Sequence, residues 1–274
     1  MTAVEHASGR SRPDSVFYIS MAAAVGVVTF IGFSRSFYLK SVFHAPPELS
    51  ALMVAHGLAF TTWVAVLMTQ TGFVAAGRRD LHRRLGGAGI ALAGLMVVLG
   101  LWLAIDALRR GFAPVGAPPA PVFFAIPFFD MIAFAAVIAM GYANRRRLDW
   151  HKRLMILSNA ALMDAAFARF PLDAIEKGGA PLYFLLADLF VVAMAVYDGR
   201  TLKRIHPATL WAGGIVIASQ VIRLAVSGTA AWASFAGWLA GQLQGFSAFP
   251  QRALCPLRGG ASQKGQAARP AMMS

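Results

Sequence analysis

The chain alternates long apolar stretches with short polar loops, several of which are rich in lysine and arginine. Seven stretches reach or approach the roughly 20 residues that a helix needs to cross a bilayer core. The pattern therefore predicts an all-α, polytopic transmembrane helical bundle of about seven spans. The stretches are residues 16–39, 49–76, 86–108, 121–144, 154–170, 181–197 and 208–226.

The segments outside these stretches divide the chain further. Residues 1–14 are polar and predict a disordered cytoplasmic leader, ahead of a bundle over residues 15–227. Residues 228–243 include an eighth apolar stretch that is too short to span, and its tryptophans suit the headgroup level, so we expect a short interfacial or re-entrant helix. Residues 244–274 turn to Gly, Pro, Ser, Gln and Arg, a composition typical of a disordered basic tail.

Composition and charge agree with a membrane protein. Hydrophobic residues make up 58% of the chain and charged residues 14%, and the formal net charge is +13. The N-terminus and the loops after spans two, four and six hold 14 Lys and Arg residues, whereas the other three loops hold 4. This positive-inside pattern predicts an N-terminus and basic loops in the cytoplasm, a cell inner membrane location and contact with anionic lipids. Nucleic-acid binding is not needed to explain the charge.

Two related motifs each precede an apolar stretch. Both read Asp-x-His-basic-Arg-Leu, with the histidines at His82 and His151. Spans three and five run in the same direction, so the two imidazoles are expected at one depth. Two histidines from separate helices can ligate a b-type haem from opposite faces, and neighbouring guanidinium groups can bind its propionates. This interpretation assigns the propionates to Arg83, Arg84 and Arg153.

A purely structural interpretation of the same motifs stays open. Asp80 and Asp149 are natural N-caps, and each histidine would then lie on the first turn of its helix. The basic residues would serve only as topology determinants and lipid contacts. The recurrence of the histidine favours a functional role, because a helix cap alone does not need one.

The motifs also carry a resemblance. The sequence at residues 82–86, answered by that at residues 151–155, resembles a group of uncharacterised bacterial multi-pass membrane proteins. It is more distantly similar to cytochrome b561-type proteins, in which His-x-x-Leu-Gly begins a haem-bearing helix. The resemblance implies that His82 and His151 form one ligand pair. It implies at most one haem, since span two offers His56 but span four has Asp130 and no histidine.

Several ionisable residues lie inside the predicted spans, where their burial is costly unless they face protein, water or a metal. For the span-two histidine, the structural alternative is a hydrogen bond to a neighbouring helix, and for the acids it is a packing network with arginines that include Arg223. The functional alternative is a transporter or proton-coupled carrier. The residues are His56, Asp130, Asp164, Arg169 and Asp188.

The sequence thus predicts an integral inner-membrane protein and leaves its activity among three hypotheses. The first is a b-type haem protein that transfers electrons, the second is the carrier, and the third is a non-catalytic membrane scaffold or assembly factor. Phosphate-binding loops and hydrolase motifs do not occur in the sequence, which disfavours nucleotide-driven and hydrolytic activities. The single cysteine, Cys255, can form neither an intramolecular disulfide nor a cysteine-based metal site. No residue pattern identifies a catalytic residue, a substrate, a redox partner or a quinone.

Overall fold

A computed structural model of the protein describes residues 12–44, 48–114 and 116–242, and the regular elements in this part of the chain are all helices. The predicted all-α class is confirmed. The first helix begins at Arg12, so the last residues of the predicted leader are helical, while residues 1–11 and the predicted tail at 244–274 lie outside the described residues. The elements are α1 (Arg12–Phe33), a π-helical turn (Ser34–Tyr38), α2 (Lys40–Phe43), α3 (Ala51–Ala75), α4 (Arg79–Arg109), α5 (Ala120–Ala143), α6 (Leu148–Leu157), α7 (Ala160–Phe167), α8 (Asp173–Leu202), α9 (Pro207–Val226) and α10 (Ala230–Gln242).

Six of these helices are long and apolar enough to cross a membrane. They are α1 with its π-helical turn, α3, α4, α5, α8 and α9, and they correspond to six of the seven predicted spans. The remaining predicted span is divided into α6 and α7. Ser158 and Asn159, which join the two, keep right-handed helical dihedral angles (φ −56°, ψ −32° and φ −72°, ψ −23°). The helices α6 and α7 therefore continue as one irregular span. The six long apolar helices identify the protein as a multi-pass membrane protein.

The irregular span formed by α6 and α7 is the centre of the bundle. Nearly all of its side chains from Arg153 to Phe167 are buried, whereas the other spans bury only one side. It contacts α1, α5, α8 and α9. Asn159 at its irregular turn accepts a hydrogen bond from the indole nitrogen of Trp63 on α3 (2.9 Å). A helix surrounded on all sides by other helices fixes their mutual positions, because association in a membrane depends on close packing.

The helix α8 contains a break at Gly179, where φ is +60°. Side chains disfavour this left-handed region, so glycine suits the position. Pro181 lies just beyond the break, where its missing N–H is tolerated in the first turn of the continuing helix. The continuous part of α8 thus begins close to residue 181, where the sixth span is predicted to begin.

The short apolar stretch after the last span forms α10, which has 13 residues. Trp232 is buried against Phe124, Phe128 and Phe129, and its indole nitrogen donates a hydrogen bond to the carbonyl oxygen of Pro121 (2.8 Å). These contacts attach α10 to the first turns of α5 and to the last turns of α4. A helix of this length covers about 20 Å, less than the bilayer core. Its interfacial or re-entrant placement stays a prediction.

The backbone of α1 at Gly32 packs directly against the backbone of α7. A Cβ atom added at Gly32 would overlap the backbone of Ala166 on α7. We expect Gly32→Ala to lower the free energy of unfolding by about 1–3 kcal/mol, because neither backbone can move away without separating the helices. Thermal unfolding of the detergent-solubilised protein measures the change. Gly94→Ala is the matched control, since a Cβ there meets no atom within 4 Å, and equal losses in both variants would contradict the prediction.

Candidate cofactor site

A cavity of about 780 Å³ lies at the end of the bundle that carries the basic loops. It is enclosed by α1, α3, α4, α6 and the end of α5. Its walls are mainly apolar, with side chains such as Leu67, Ile90, Met155 and Ile156, and Trp63 also contributes to them. The volume falls within the range of roughly 300–1,000 Å³ that is typical of ligand and cofactor pockets.

The two motif histidines lie together in this cavity. His82 is the fourth residue of α4 and His151 is the fourth residue of α6, so each occupies the end of the first turn. Their ring centres are 6.1 Å apart and their planes are inclined by 79°. The expectation that the two imidazoles share one depth therefore agrees with their positions.

Contacts from neighbouring helices hold both histidines in place. The side-chain amide of Gln70 on α3 donates to the carbonyl oxygen of His82 (3.2 Å), which fixes the first turn of α4. Nδ1 of His151 lies 2.9 Å from the carbonyl oxygen of Gly141 on α5. A carbonyl oxygen only accepts, so Nδ1 carries the proton and Nε2 of His151 carries the lone pair. The lack of a side chain at Gly141 lets α5 and α6 pack this closely. A Cβ there would stand only 3.1 Å from Sδ of Met155 on α6, which is tighter than an ordinary van der Waals contact.

The mouth of the cavity is strongly basic. Lys152 pairs with Asp14 of α1 (2.8 Å), and Asp14 also accepts a hydrogen bond from Tyr197 of α8 (2.8 Å). Four arginines lie at the mouth: Arg79, Arg83, Arg145 and Arg146. Among the described residues, no acidic side chain forms an ion pair with any of them. Their charges can therefore meet an anionic group of a bound molecule. The basic residues lining the cavity are Arg79, Arg83, Arg145, Arg146 and Lys152.

Two of the three arginines assigned to the propionates, Arg84 and Arg153, are not among the residues that line the cavity. Arg84 is exposed. Arg153 is 3% exposed and binds Asp198 of α8 through Nη2 (2.6 Å) and Nε (2.9 Å). Asp198 also accepts hydrogen bonds from the hydroxyl of Thr209 (2.6 Å) and the backbone N–H of His206 (3.1 Å). A guanidinium group bound in this way is committed to the packing of α6, α8 and α9.

The predicted N-caps also differ from the structure. The N-cap positions of α4 and α6 are Arg78 and Arg147, and neither side chain makes a capping hydrogen bond. Asp80 and Asp149 are instead in the first turns, where a negative charge still interacts favourably with the helix dipole. Asp149 lies 2.9 Å from Nε2 of His206, so its partner comes from the start of α9.

The deep histidine of α3, His56, packs against an aromatic side chain. His56 is half-buried and its ring stacks on Phe60 (4.2 Å between centres), while its Nδ1 has no hydrogen-bond partner among the described residues. It does not line the cavity that contains His82 and His151. A hydrogen bond from His56 to a neighbouring helix stays a prediction.

The intramembrane acids form a separate cluster at a distance from the cavity. Asp130 of α5 and Asp164 of α7 both contact Nη1 of Arg223 on α9, and all three are at least 95% buried. Arg169 is not their ion-pair partner: it is exposed and donates to the carbonyl of Ala165 (2.6 Å). Asp188 accepts a hydrogen bond from the side-chain amide of Gln220 (3.0 Å). The sequence indicated such a network but did not distinguish between its two arginines.

The paired histidine motifs are the feature on which a relationship to known proteins would rest. No protein-family model, no curated protein and no solved structure matches the chain. The resemblance to multi-pass membrane proteins and to cytochromes of the b561 type stays a prediction carried by residues 82–86 and 151–155.

The buried arginine provides a test of the acidic cluster. We expect Arg223→Gln to lower the free energy of unfolding by about 3–5 kcal/mol, because the substitution leaves two buried carboxyl groups without their cation. Arg169→Gln is the matched control and should cost less than about 1 kcal/mol, since its exposed guanidinium forms no ion pair among the described residues and contacts a carbonyl oxygen and the ring of Phe33. Unfolding of the purified variants in detergent gives both values, and a larger loss in Arg169→Gln would contradict the assignment.

Proposed function

We propose that the protein is an integral inner-membrane protein that binds one b-type haem in the basic-mouthed cavity and transfers electrons, with His82 and His151 as the axial ligands. The observation that carries the proposal is the meeting of these two histidines from separate helices inside one cavity of cofactor size. A bundle that supplies inward-facing ligands from different helices is a common way to build such a site.

The separation of the two rings supports a shared metal ion. A metal–imidazole nitrogen bond is about 2 Å long, and a ring centre lies about 1 Å behind its nitrogen, so two imidazoles on one ion have centres roughly 6 Å apart. The observed distance is 6.1 Å. Two neutral rings in direct contact could have the same spacing. The cavity that contains them favours ligation, as does the lone pair that Nε2 of His151 carries when Nδ1 holds the proton.

The remaining features of the cavity suit a large, flat anion with an apolar body. The apolar walls would exclude water from the ring system, and the arginines at the mouth would bind its carboxylates bidentately. Arg83 keeps its assigned role, and Arg79, Arg145 and Arg146 replace Arg84 and Arg153. The hydrogen bond from Nδ1 of His151 to Gly141 would fix the ring and increase the basicity of Nε2.

Haem in such a site supplies one-electron chemistry. The chain itself contributes ligation, orientation and exclusion of water, and its basic mouth faces the same side as the basic loops. The carrier and scaffold hypotheses remain alternatives, and anionic lipids are expected partners of the basic loops in all three cases.

Optical spectroscopy tests the haem proposal. Protein expressed with ample haem is expected to show a Soret band that sharpens on reduction with dithionite, and His82→Ala or His151→Ala should lose it, because each removes one axial ligand. His56→Ala is the control for loss of a buried histidine outside the cavity, and its spectrum should match that of the unmodified protein. A colourless, folded protein would refute the proposal, as would a spectrum that both cavity variants retain.

The proposed orientation has its own test. Single cysteines introduced by Arg146→Cys and Glu176→Cys, each in a Cys255→Ser background, lie at exposed positions at opposite ends of the bundle, the first in the turn before α6 and the second in the first turn of α8. In whole cells, a membrane-impermeant thiol reagent should label the cysteine at position 176 and should label that at position 146 only after the membrane is opened, because basic loops remain in the cytoplasm. The reverse labelling pattern would contradict the proposed orientation, but the haem proposal does not depend on this result.

A further inference from the structure

The acidic cluster buried between α5, α7 and α9 holds more carboxyl groups than cations. Asp130 and Asp164 are each 4% exposed, and Arg223, which contacts both, is 1% exposed. The guanidinium also lies over the ring of Phe184 of α8 (4.8 Å) and donates to the hydroxyl of Ser219 (3.2 Å). These contacts close the cluster within the membrane-spanning part of the bundle.

The surrounding charges do not balance this excess. Asp188 of α8 lies near Arg223, and Arg169, which follows α7, acts electrostatically on Asp164 from an exposed position. With these two residues included, the group contains three carboxyl groups and two guanidinium groups. Isolated charges are very costly in an apolar interior, and a group in such a place neutralises instead.

Hydrogen bonds distinguish the two buried carboxyl groups. Asp164 accepts the backbone N–H of Ala165 (2.8 Å) and a directed hydrogen bond from Nη1 of Arg223 (3.0 Å). These two donors suit an ionised carboxylate. Oδ1 of Asp130 lies closer to the same nitrogen (2.5 Å), but it accepts no directed hydrogen bond among the described residues. The carboxyl groups of Asp130 and Asp164 both contact Nη1 of Arg223, so a proton held by Asp130 lies next to the Asp164 carboxylate.

We propose that Asp130, Asp164 and Arg223 form an exchangeable proton-binding site, in which Asp130 holds the proton and Asp164 is the ionised partner of Arg223. The site is separate from the histidine cavity and does not depend on haem. Its chemistry is the uptake of one proton from water by the Asp130 carboxylate, with release by the reverse step. Such a site in the membrane interior is what proton-coupled membrane proteins use.

Infrared spectroscopy of the purified protein without added haem tests the proposal. At pH 8 an ordinary aspartate is ionised, since its pKa is about 3.9. The wild-type protein is expected to retain a carbonyl stretching band of a protonated carboxyl group. Asp130→Asn should lose this band, because the amide resembles the protonated acid in shape but has no carboxyl group. Asp188→Asn is the matched control and should keep it. A band of unchanged intensity in Asp130→Asn would overturn the assignment.

Isotope labelling and hydrogen–deuterium exchange test the same carboxyl group without a substitution at Asp130. Labelling with ¹³C-aspartate should shift the band in the unmodified protein, which identifies an aspartate even if the Asp130→Asn protein fails to fold; an unshifted band, or no band at all, would overturn the proposal. Transfer of the folded protein to D₂O should shift the band as well. A band that shifts only after unfolding would show a trapped proton and would overturn the claim of exchange. Neither result depends on the outcome of the haem experiment.

Discussion

The need to neutralise charge inside an apolar bundle governs the arrangement of the helices. Two buried arginines, Arg153 and Arg223, lie on different spans, and each binds an aspartate from another span. Removing one partner from such a pair costs far more than removing an exposed ion pair, because the charge left behind has no water. The pairs therefore specify which helices are neighbours, a role that apolar side chains perform poorly when the surrounding lipid is equally apolar.

The central span formed by α6 and α7 connects these interactions. Near its beginning, His151 faces the cavity and Arg153 binds α8; near its end, Asp164 meets Arg223. Between them, Asn159 accepts the hydrogen bond from Trp63 at the irregular turn. The same helix thus holds the histidine of the candidate haem site and the ionised member of the candidate proton site. Its burial on all sides keeps both groups in fixed positions relative to the other spans.

The sequence predicts the bundle well because hydropathy responds to a single physical requirement, the length of the bilayer core. It also predicts that His82 and His151 share one depth, since both begin spans of the same direction. It does not predict which face of each helix is turned inward. That depends on packing, so the sequence could not show that Arg84 is exposed, nor that Arg223 rather than Arg169 binds the acids.

The two copies of the histidine motif show why equal sequence need not give equal roles. The arginine that follows the histidine by two positions is Arg84 in one copy and Arg153 in the other. On α4, at the side of the bundle, this position faces outward and the side chain is exposed. On α6, at the centre, the same position faces α8 and needs the buried carboxylate of Asp198. The histidines and the basic residues that follow them, Arg83 and Lys152, line the common cavity in both copies. A motif therefore constrains the side chains that point toward a shared neighbour, and the location of each helix decides what its other positions must do.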